Sequence, residues 1–171
     1  MNRKYTMSNI RVQIEIPKNG NVKYEINHNT GELICDRIIY SSLRYDFNYG
    51  FIPNTLSEDG DPLDAVVLCN SELHPTCIIR CKIIGALITS DENGLDEKII
   101  MAPIDSVDPE SVEISDITDI KQAVLNKIKQ FFTHYKELEK NKFVNVENFV
   151  GKNEAIEIYK RSIDRYVTNH Q

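Results

Sequence analysis

Hydrophobic residues recur with two different periods along this chain of 171 residues, and the change of period strongly restricts how it can fold. Apolar and polar residues alternate over positions 10–16 and again over 22–26, which predicts two half-buried strands. The pair Asn19-Gly20 between them is typical of a tight hairpin turn, so these strands are predicted to pair. Further strands are predicted at positions 33–39, 63–69, 76–84, 85–89 and 98–103. Short strands joined by turns indicate a closed or sandwich-like β core.

The last third of the chain has the period of a helix. Apolar residues recur every three or four positions from Ile120 to Leu138, which predicts one amphipathic helix. A second helix is predicted over 153–167, and the segment 143–149 between them is predicted to be extended. Candidate caps are Asp116, Thr118 and Asp119 for the first helix and Asn153 for the second, which would bury Ala155, Tyr159, Ile163 and Tyr166.

No repeat, low-complexity segment or long linker divides the chain. The sequence therefore predicts one α+β domain over residues 1–171, dominated by β-structure, with its core at about 10–168.

The net charge argues against one functional class. Lys and Arg number 20 and Asp and Glu number 26, so the formal net charge is −6. Such a chain lacks the basic surface expected of a general nucleic-acid binder, and no nucleic-acid partner is predicted. No apolar run approaches the roughly 20 residues of a membrane-spanning helix, and no membrane partner is predicted. No hydrophobic run follows Met1–Tyr5, so a signal peptide is not expected.

The four cysteines indicate the compartment. They lie in apolar, strand-like stretches, and none has the spacing of a zinc or redox motif. We therefore expect buried, reduced thiols in a cytoplasmic protein, at Cys35, Cys69, Cys77 and Cys81.

The densest candidate for chemistry is the segment Glu58–Asp64, in which four of seven residues are carboxylates. Carboxylates held this close repel one another, and hard cations such as Mg²⁺ or Ca²⁺ relieve the repulsion. An EF-hand loop starting at Asp59 is excluded, because its fifth and twelfth positions are Leu63 and Asn70. A solvated acidic turn is the alternative that this segment alone leaves open.

A second acidic turn covers Asp91–Lys98. The pair Asn93-Gly94 predicts a hairpin that brings Asp91 and Asp96 together across its mouth. Alone, this segment also reads as an exposed turn. Two acidic turns in one small domain favour a shared metal site, because sites with two metal ions take carboxylates from several segments.

Cationic and phenolic residues form a third set. Lys23 and Glu25 share the polar face of the second strand, and Glu15 lies across the predicted hairpin. Arginine, lysine and tyrosine hydroxyl groups are donors that bind phosphate oxygens. Arg37 follows in the third strand, several tyrosines lie in a predicted loop over 44–53, and Tyr135 and Lys136 lie late in the first helix. Taken singly, each residue is more simply explained by surface charge or core packing.

Nucleotide-binding motifs are missing. The chain contains neither a G-x-x-x-x-G-K-[ST] loop nor G-x-G-x-x-G, and it has only seven glycines. A substrate with phosphates but no base or sugar fits this absence.

The segment Asp59–Ala65 fits the signature D-[SGDN]-D-[PE]-[LIVMF]-D-[LIVMGAC], and with it the chain resembles the family I soluble inorganic pyrophosphatases in their short bacterial form. Other landmarks follow in the order and spacing of that family from about residue 10 to 150, while the C-terminal helix is only loosely similar. They are Glu15, Lys23-Tyr24-Glu25, Asp36-Arg37, Asn48-Tyr49-Gly50, Asp91-Glu92 with Asp96 and Lys98, and Phe132 with His134-Tyr135-Lys136.

The resemblance implies a five-stranded, OB-like β-barrel with flanking helices and a site at its polar mouth. The implied reaction is hydrolysis of pyrophosphate to two phosphates, which removes the pyrophosphate of biosynthetic reactions. Several Mg²⁺ ions would serve each site, with Mn²⁺ or Zn²⁺ as substitutes, and the assembly would be a homohexamer. The departures from the family are modest: Phe143 and Phe149 replace its tryptophans.

The resemblance also implies a role for each site residue. Asp61 would be the general base. The implied metal ligands are Asp59, Asp64, Asp91 and Asp96. The implied phosphate-binding residues are Lys23, Arg37, Tyr49, Tyr135 and Lys136. The implied supporting residues are Glu15, Glu25, Tyr45, Glu92 and Lys98.

Two other functions are weighed against this one. An OB-like module without catalysis could bind oligonucleotides, although the net charge argues against it. A phosphoesterase or nucleotide pyrophosphatase could use the same metals, although the chain has no nucleotide-binding loop.

Overall fold

The structure is a computed structural model that describes residues 7–171, so the predicted absence of a signal peptide at Met1–Tyr5 falls outside the described residues. The helices are α1 (Gln122–His134) and α2 (Lys152–Asn169). The strands are β1 (Ile10–Ile16), β2 (Val22–Ile26), β3 (Leu33–Ile38), β4 (Asn48–Ile52), β5 (Leu63–Val67), β6 (Ile78–Asp91), β7 (Gly94–Leu95), β8 (Lys98–Pro103) and β9 (Val144–Gly151).

Five strands form a closed ring. Strand β1 pairs antiparallel with β4, β4 antiparallel with β5, and β5 parallel with β8. Strand β8 pairs antiparallel with β6, and β6 returns to pair antiparallel with β1. Strands β7 and β9 extend the sheet from β6, while β2 and β3 form a separate two-stranded ribbon. The β-dominated α+β class predicted from the sequence is confirmed.

The predicted hairpin between the first two strands is wrong. Both edges of β1 are occupied by β4 and β6, so β2 pairs instead with β3. Asn19 has a positive φ of 67°, but its N–H donates to the carbonyl of Tyr45 at 2.6 Å. The N–H of Tyr45 donates in turn to the carbonyl of Gly20 at 3.0 Å. The turn therefore sends the chain away from β1 to form the ribbon.

The predicted loop over 44–53 contains a strand of the ring, because Asn48–Ile52 is β4. Gly50 is needed inside this strand, since a Cβ there would lie 1.9 Å from the carbonyl oxygen of Gln13 on β1. The two strands predicted at 76–84 and 85–89 are one long strand, β6, with a register shift between Ile83 and Gly85.

Both α-helices are present, but the predicted caps are wrong. Asp116 and Asp119 form a capping box around a short 3₁₀ turn, Ile117–Asp119, rather than around α1. Helix α1 begins after Lys121 and α2 after Gly151, and neither of these residues caps its helix with a side chain, although Asp116 Oδ1 accepts the N–H of Lys152 at 3.2 Å. Ala155 and Tyr159 are buried as predicted, whereas Ile163 and Tyr166 are half-buried.

Two hydrophobic cores lie on opposite faces of the sheet. All five ring strands contribute to the first, which packs against Ala155, Ile158 and Tyr159 of α2. The second contains Phe131 and Phe132 of α1 and the aromatic residues around β4. Because neighbouring residues of a strand point to opposite faces, single strands supply both cores.

Buried, reduced cysteines were predicted, and all four are free thiols, but only Cys81 is buried. Cys69 and Cys77 are half-buried, and Cys35 is exposed because every residue of β3 is exposed on the ribbon. No helix within residues 7–171 is long and apolar enough to cross a membrane.

Candidate active site

The first acidic turn is a closed loop between β4 and β5. Asp59 accepts the N–H of Asp61 at 3.0 Å through its Oδ1, and the N–H of Ser57 donates to the carbonyl of Asp61 at 2.7 Å. Gly60 takes a φ of +91°, which a side chain would disfavour. The turn therefore holds Asp59 and Asp61 just before β5, where Asp64 follows in the strand.

Lys98 is the centre of the site. Strands β5 and β8 are parallel, and their register places Asp64 directly opposite Lys98. The Lys98 Nζ donates to Asp64 Oδ2 at 2.6 Å, to Asp96 Oδ2 at 2.7 Å and to the Tyr49 hydroxyl at 2.9 Å. Its side chain is only 3% exposed. One buried ammonium group thus joins carboxylates from both acidic turns.

The charges around Lys98 perturb one another. Burial lowers the pKa of Lys98, but the surrounding groups, Asp64 foremost, outweigh it and raise the pKa well above its ordinary value. Burial raises the pKa of Asp96, and the charge of Asp64 raises it further against the opposing effect of Lys98. Burial also raises the pKa of Asp59 to about 6, with contributions from the neighbouring aspartates. The negative charge of the aspartates near Lys98 therefore exceeds the single positive charge of that lysine.

The second acidic turn is the predicted hairpin. Asp91 lies opposite Gly94, which has a φ of +110°, and the N–H of Asn93 donates to Asp91 Oδ1 at 2.8 Å. Asp91 Oδ2 lies 3.4 Å from the Lys136 Nζ, so Asp91 and Asp96 contact different lysines. Glu92 is exposed on the turn.

Lys136 follows α1 and reaches this turn. Burial lowers the pKa of Lys136, but Tyr135, Asp91 and Glu92 raise it to a net value above the ordinary one. The Lys136 Nζ lies 5.5 Å from the centre of the Tyr135 ring.

The ribbon forms the opposite wall. The Lys23 Nζ lies 3.6 Å from Glu15, 3.8 Å from Glu25 and 3.9 Å from Asp36. Burial raises the pKa of Glu15 to about 7, although the charge of Lys23 opposes this. A cavity of about 370 Å³ opens between the ribbon and the first acidic turn. Its lining includes Glu15, Lys23, Glu25, Asp61 and Asp64.

Arg37 lies at the edge of this wall. It is exposed, lies opposite Lys23 in the ribbon, and its Nη1 is 3.9 Å from Glu139 Oε1 beyond α1.

Aromatic rings form the floor of the site. The Tyr45 ring packs against Tyr49, Phe131 and Tyr135, at centroid distances of 5.3, 4.4 and 6.5 Å. The Lys98 Nζ lies 5.4 Å from the centre of the Phe132 ring. Burial raises the pKa of Tyr45 and of Tyr49 well above the ordinary phenol value, so both hydroxyl groups stay protonated. These rings are buried, and a buried apolar floor strengthens the polar contacts above it.

The structure brings the predicted residues to one region, but not as a preformed metal cluster. Within residues 7–171, no group of three Asp, Glu, His or Cys side chains converges closely enough to hold an ion. Asp64, Asp91 and Asp96 contact lysines instead. The donor set still fits a divalent metal ion, because carboxylate oxygens suit hard cations and because neighbouring aspartate charges add to burial in raising the pKa of Asp59 and of Asp96.

Three residues at the site received no predicted role. Asp36 contacts Lys23, Glu139 contacts Arg37, and Phe132 lies beneath Lys98. Asp36 and Phe132 are among the landmarks of the resemblance, whereas no local pattern in the sequence marks Glu139, whose contact joins distant segments. A larger cavity, of about 450 Å³, lies between the end of β5 and the start of α1 and is lined by none of the predicted site residues.

The chain is similar to known proteins along most of its length. A sequence model of the family described as inorganic pyrophosphatase matches residues 12–167. The chain is 51% identical over 153 residues to an inorganic pyrophosphatase of Nanoarchaeum equitans, covering 90% of this chain and 94% of that protein. It is 44% identical over 155 residues to an inorganic pyrophosphatase of Helicobacter pylori, covering 91% of this chain and 90% of that protein.

Solved structures share the fold. An inorganic pyrophosphatase structure from Helicobacter pylori superposes with a TM-score of 0.89 at 42% identity, covering 94% of this chain and 95% of that one. One from Coxiella burnetii also gives a TM-score of 0.89, at 37% identity, covering 95% of this chain and 97% of that one.

Proposed function

The chain belongs to the inorganic pyrophosphatase family, and from this we infer that it is an inorganic diphosphatase, which hydrolyses pyrophosphate to two orthophosphates. One observation carries the assignment of the site: carboxylates of two acidic turns meet at the buried Lys98. Lys23 lines the cavity, Lys136 contacts Asp91 of the second acidic turn, and both supply positive charge for a phosphate substrate. The product would be free phosphate from the pyrophosphate that biosynthetic reactions release.

The family implies a divalent metal ion, and the proposed ion is Mg²⁺, several per site, with Mn²⁺ or Zn²⁺ as substitutes. Its ligands would be Asp59, Asp64, Asp91 and Asp96, with Glu15 and Glu25 holding a further ion or its water shell. A bound divalent ion lowers the pKa of water and neutralises charge on pyrophosphate. The raised pKa values of Asp59 and Asp96 support this assignment.

The side chains of this chain would then act around the substrate. Asp61 is exposed at the edge of the 370 Å³ cavity, where its carboxylate is free to accept the proton of the attacking water as a general base. The ammonium of Lys98 donates to the hydroxyl of Tyr49 and holds it in place, so little reorganisation is needed when charge develops on the leaving phosphate. The proposed phosphate-binding groups are Lys23, Arg37, Tyr49, Tyr135 and Lys136, supported by Tyr45, Glu92 and Lys98.

A colorimetric phosphate assay tests the function. Purified protein should release phosphate from pyrophosphate with Mg²⁺, lose the activity with a chelator, and regain it when Mg²⁺ is restored. Replacing Mg²⁺ by Mn²⁺ or Zn²⁺ in the same assay tests the metal preference. Much faster release from nucleoside triphosphates than from pyrophosphate would favour a nucleotide hydrolase, and no release from either substrate would contradict the proposal.

The proposal extends to the type of barrel, the domain, the compartment and the assembly. The five-stranded ring would be the OB-like barrel of the family, within a single domain over residues 1–171. The protein would be cytoplasmic and would assemble as a homohexamer. Multi-angle light scattering tests the assembly: a mass near six times 19.7 kDa is expected, and a monomer mass would contradict it.

A further inference from the structure

Helix α2 lies outside the set of site residues, yet it holds the first acidic turn. The Arg165 Nη1 donates to the carbonyl of Leu56 at 2.7 Å, and its Nη2 lies 3.7 Å from Glu58 Oε1. The N–H of Leu56 donates to the carbonyl of Ser162, one turn earlier on the helix, at 3.0 Å. Both polar groups of Leu56 are therefore bound by α2.

The turn closes on itself at its two ends. The Thr55 hydroxyl accepts the N–H of Leu63 at 3.0 Å, and Ser57 and Asp61 are joined by a backbone hydrogen bond of 2.7 Å. These bonds fix the shape of the turn and join it to the start of β5. The contacts of Leu56 and Glu58 join the closed turn to α2.

We propose that Arg165 is a positioning residue for the reaction, which orients the turn carrying Asp59, Asp61 and Asp64 by binding Leu56 and Glu58. This inference rests on the proposed function for its link to turnover. The guanidinium group is suited to the role because its fixed fork serves two acceptors at once. A lysine at this position would serve one of them, and a glutamine would lose the charge.

The test compares four variants of the full chain. Arg165→Gln removes both contacts, and Arg165→Lys keeps the charge. Lys160→Gln is the charge-matched control, since Lys160 lies on the same helix and pairs with Glu157 at 3.2 Å. Ile158→Val is the stability control, since Ile158 is buried in the first core. Calorimetry measures Mn²⁺ binding without substrate, the phosphate assay gives kcat, KM and the Mg²⁺ requirement, and thermal unfolding gives Tm.

Loss of an outer contact that orients metal ligands typically costs about 10- to 100-fold in metal affinity or activity. Arg165→Gln should therefore weaken Mn²⁺ binding and lower kcat within about this range, with a smaller effect on KM. The Mn²⁺ affinity and kcat of Arg165→Lys should lie between those of Arg165→Gln and those of the unmodified protein. Ile158→Val should lower Tm without changing Mn²⁺ affinity, and Lys160→Gln should change neither.

Three results would overturn the inference. The first is Mn²⁺ affinity in Arg165→Gln equal to that of the unmodified protein, or, if that variant does not fold, equal affinity in Arg165→Lys. The second is a loss of Mn²⁺ affinity in Ile158→Val equal to that in Arg165→Gln, which would show that Arg165 acts only through the general stability of the protein. The third is no Mn²⁺ binding by the unmodified protein. If the unmodified protein binds Mn²⁺ but releases no phosphate, the proposed function fails, and the comparison of affinities still decides the role of Arg165.

Discussion

Asp64 and Lys98 lie directly opposite each other on neighbouring parallel strands, and their side chains meet at 2.6 Å. The same ammonium group binds Asp96 at 2.7 Å. A backbone register thus determines which charges meet in the site, and the charge balance of the site depends on one buried lysine.

Lys98→Met should destabilise the metal-free protein by about 3–5 kcal/mol, because it leaves buried carboxylates without their partner. A divalent cation relieves the same repulsion, so Mg²⁺ should stabilise this variant more than it stabilises the unmodified protein. Urea unfolding with and without Mg²⁺ measures both effects. Lys136→Met is the matched control, with a smaller expected loss because its contact with Asp91 is longer, at 3.4 Å. Equal Mg²⁺ stabilisation of Lys98→Met and the unmodified protein would contradict the argument.

Asp61→Asn should keep the fold and much of the metal binding but lower kcat by about 10²- to 10⁴-fold, the usual contribution of a general base. Asp61 is exposed and its carboxylate accepts no hydrogen bond within residues 7–171, so its loss costs little stability. The phosphate assay measures kcat, and calorimetry measures Mg²⁺ affinity. Glu113→Gln, at an exposed position outside the cavity lining, removes the same charge and should retain far more activity. Undiminished turnover in Asp61→Asn would remove Asp61 from the mechanism.

Glu15 should make the metal-free protein less stable as pH rises from about 5 to 8. Burial raises its pKa to about 7 from an ordinary value of 4.5. Between these values the folded state binds more protons than the unfolded state, so the free energy of unfolding falls with rising pH. The contribution of Glu15 alone is at most about 3 kcal/mol, from a shift of roughly 2.5 pKa units.

Urea unfolding of the chelator-treated protein at pH 5.5 and 8 measures this dependence. Glu15→Gln should flatten this pH dependence. Glu25→Gln, at an exposed position on the same cavity, should leave most of the dependence in place, because the charge of Glu25 is a smaller cause of the raised pKa than burial. The same slope in Glu15→Gln and the unmodified protein would show that Glu15 does not carry the effect.

Gly50→Ala should destabilise the fold severely, by more than about 3 kcal/mol, because overpacking against backbone leaves little room to adjust. The added Cβ would lie 1.9 Å from the Gln13 carbonyl oxygen. Gly31→Ala is the control: its φ is +75°, but no atom lies within 4 Å of the added Cβ, so the expected cost is only about 1–2 kcal/mol. Thermal and urea unfolding measure both, and similar losses would show that the close approach of β1 and β4 is not the cause.

Local patterns predicted much of the secondary structure. The alternation at 10–16 and 22–26 gave the bounds of β1 and β2, and the Asn93-Gly94 pair gave the second acidic turn. These predictions succeeded because they depend on residues close in sequence. The Asn19-Gly20 hairpin failed because pairing also depends on which strand edges are free, and both edges of β1 are taken by distant strands.

The sequence by itself determined which chemical groups are available: two acidic turns, cationic and phenolic side chains, and a signature specific enough to indicate the family. The tertiary structure decided which of these groups meet. The parallel register of β5 and β8 places Lys98 opposite Asp64. The side chain of Arg165 donates to the carbonyl of Leu56, which is more than a hundred residues away in sequence. Such contacts form only when the ring closes and α2 packs against it. A local pattern of residues carries no information about which distant segments become neighbours in the folded chain.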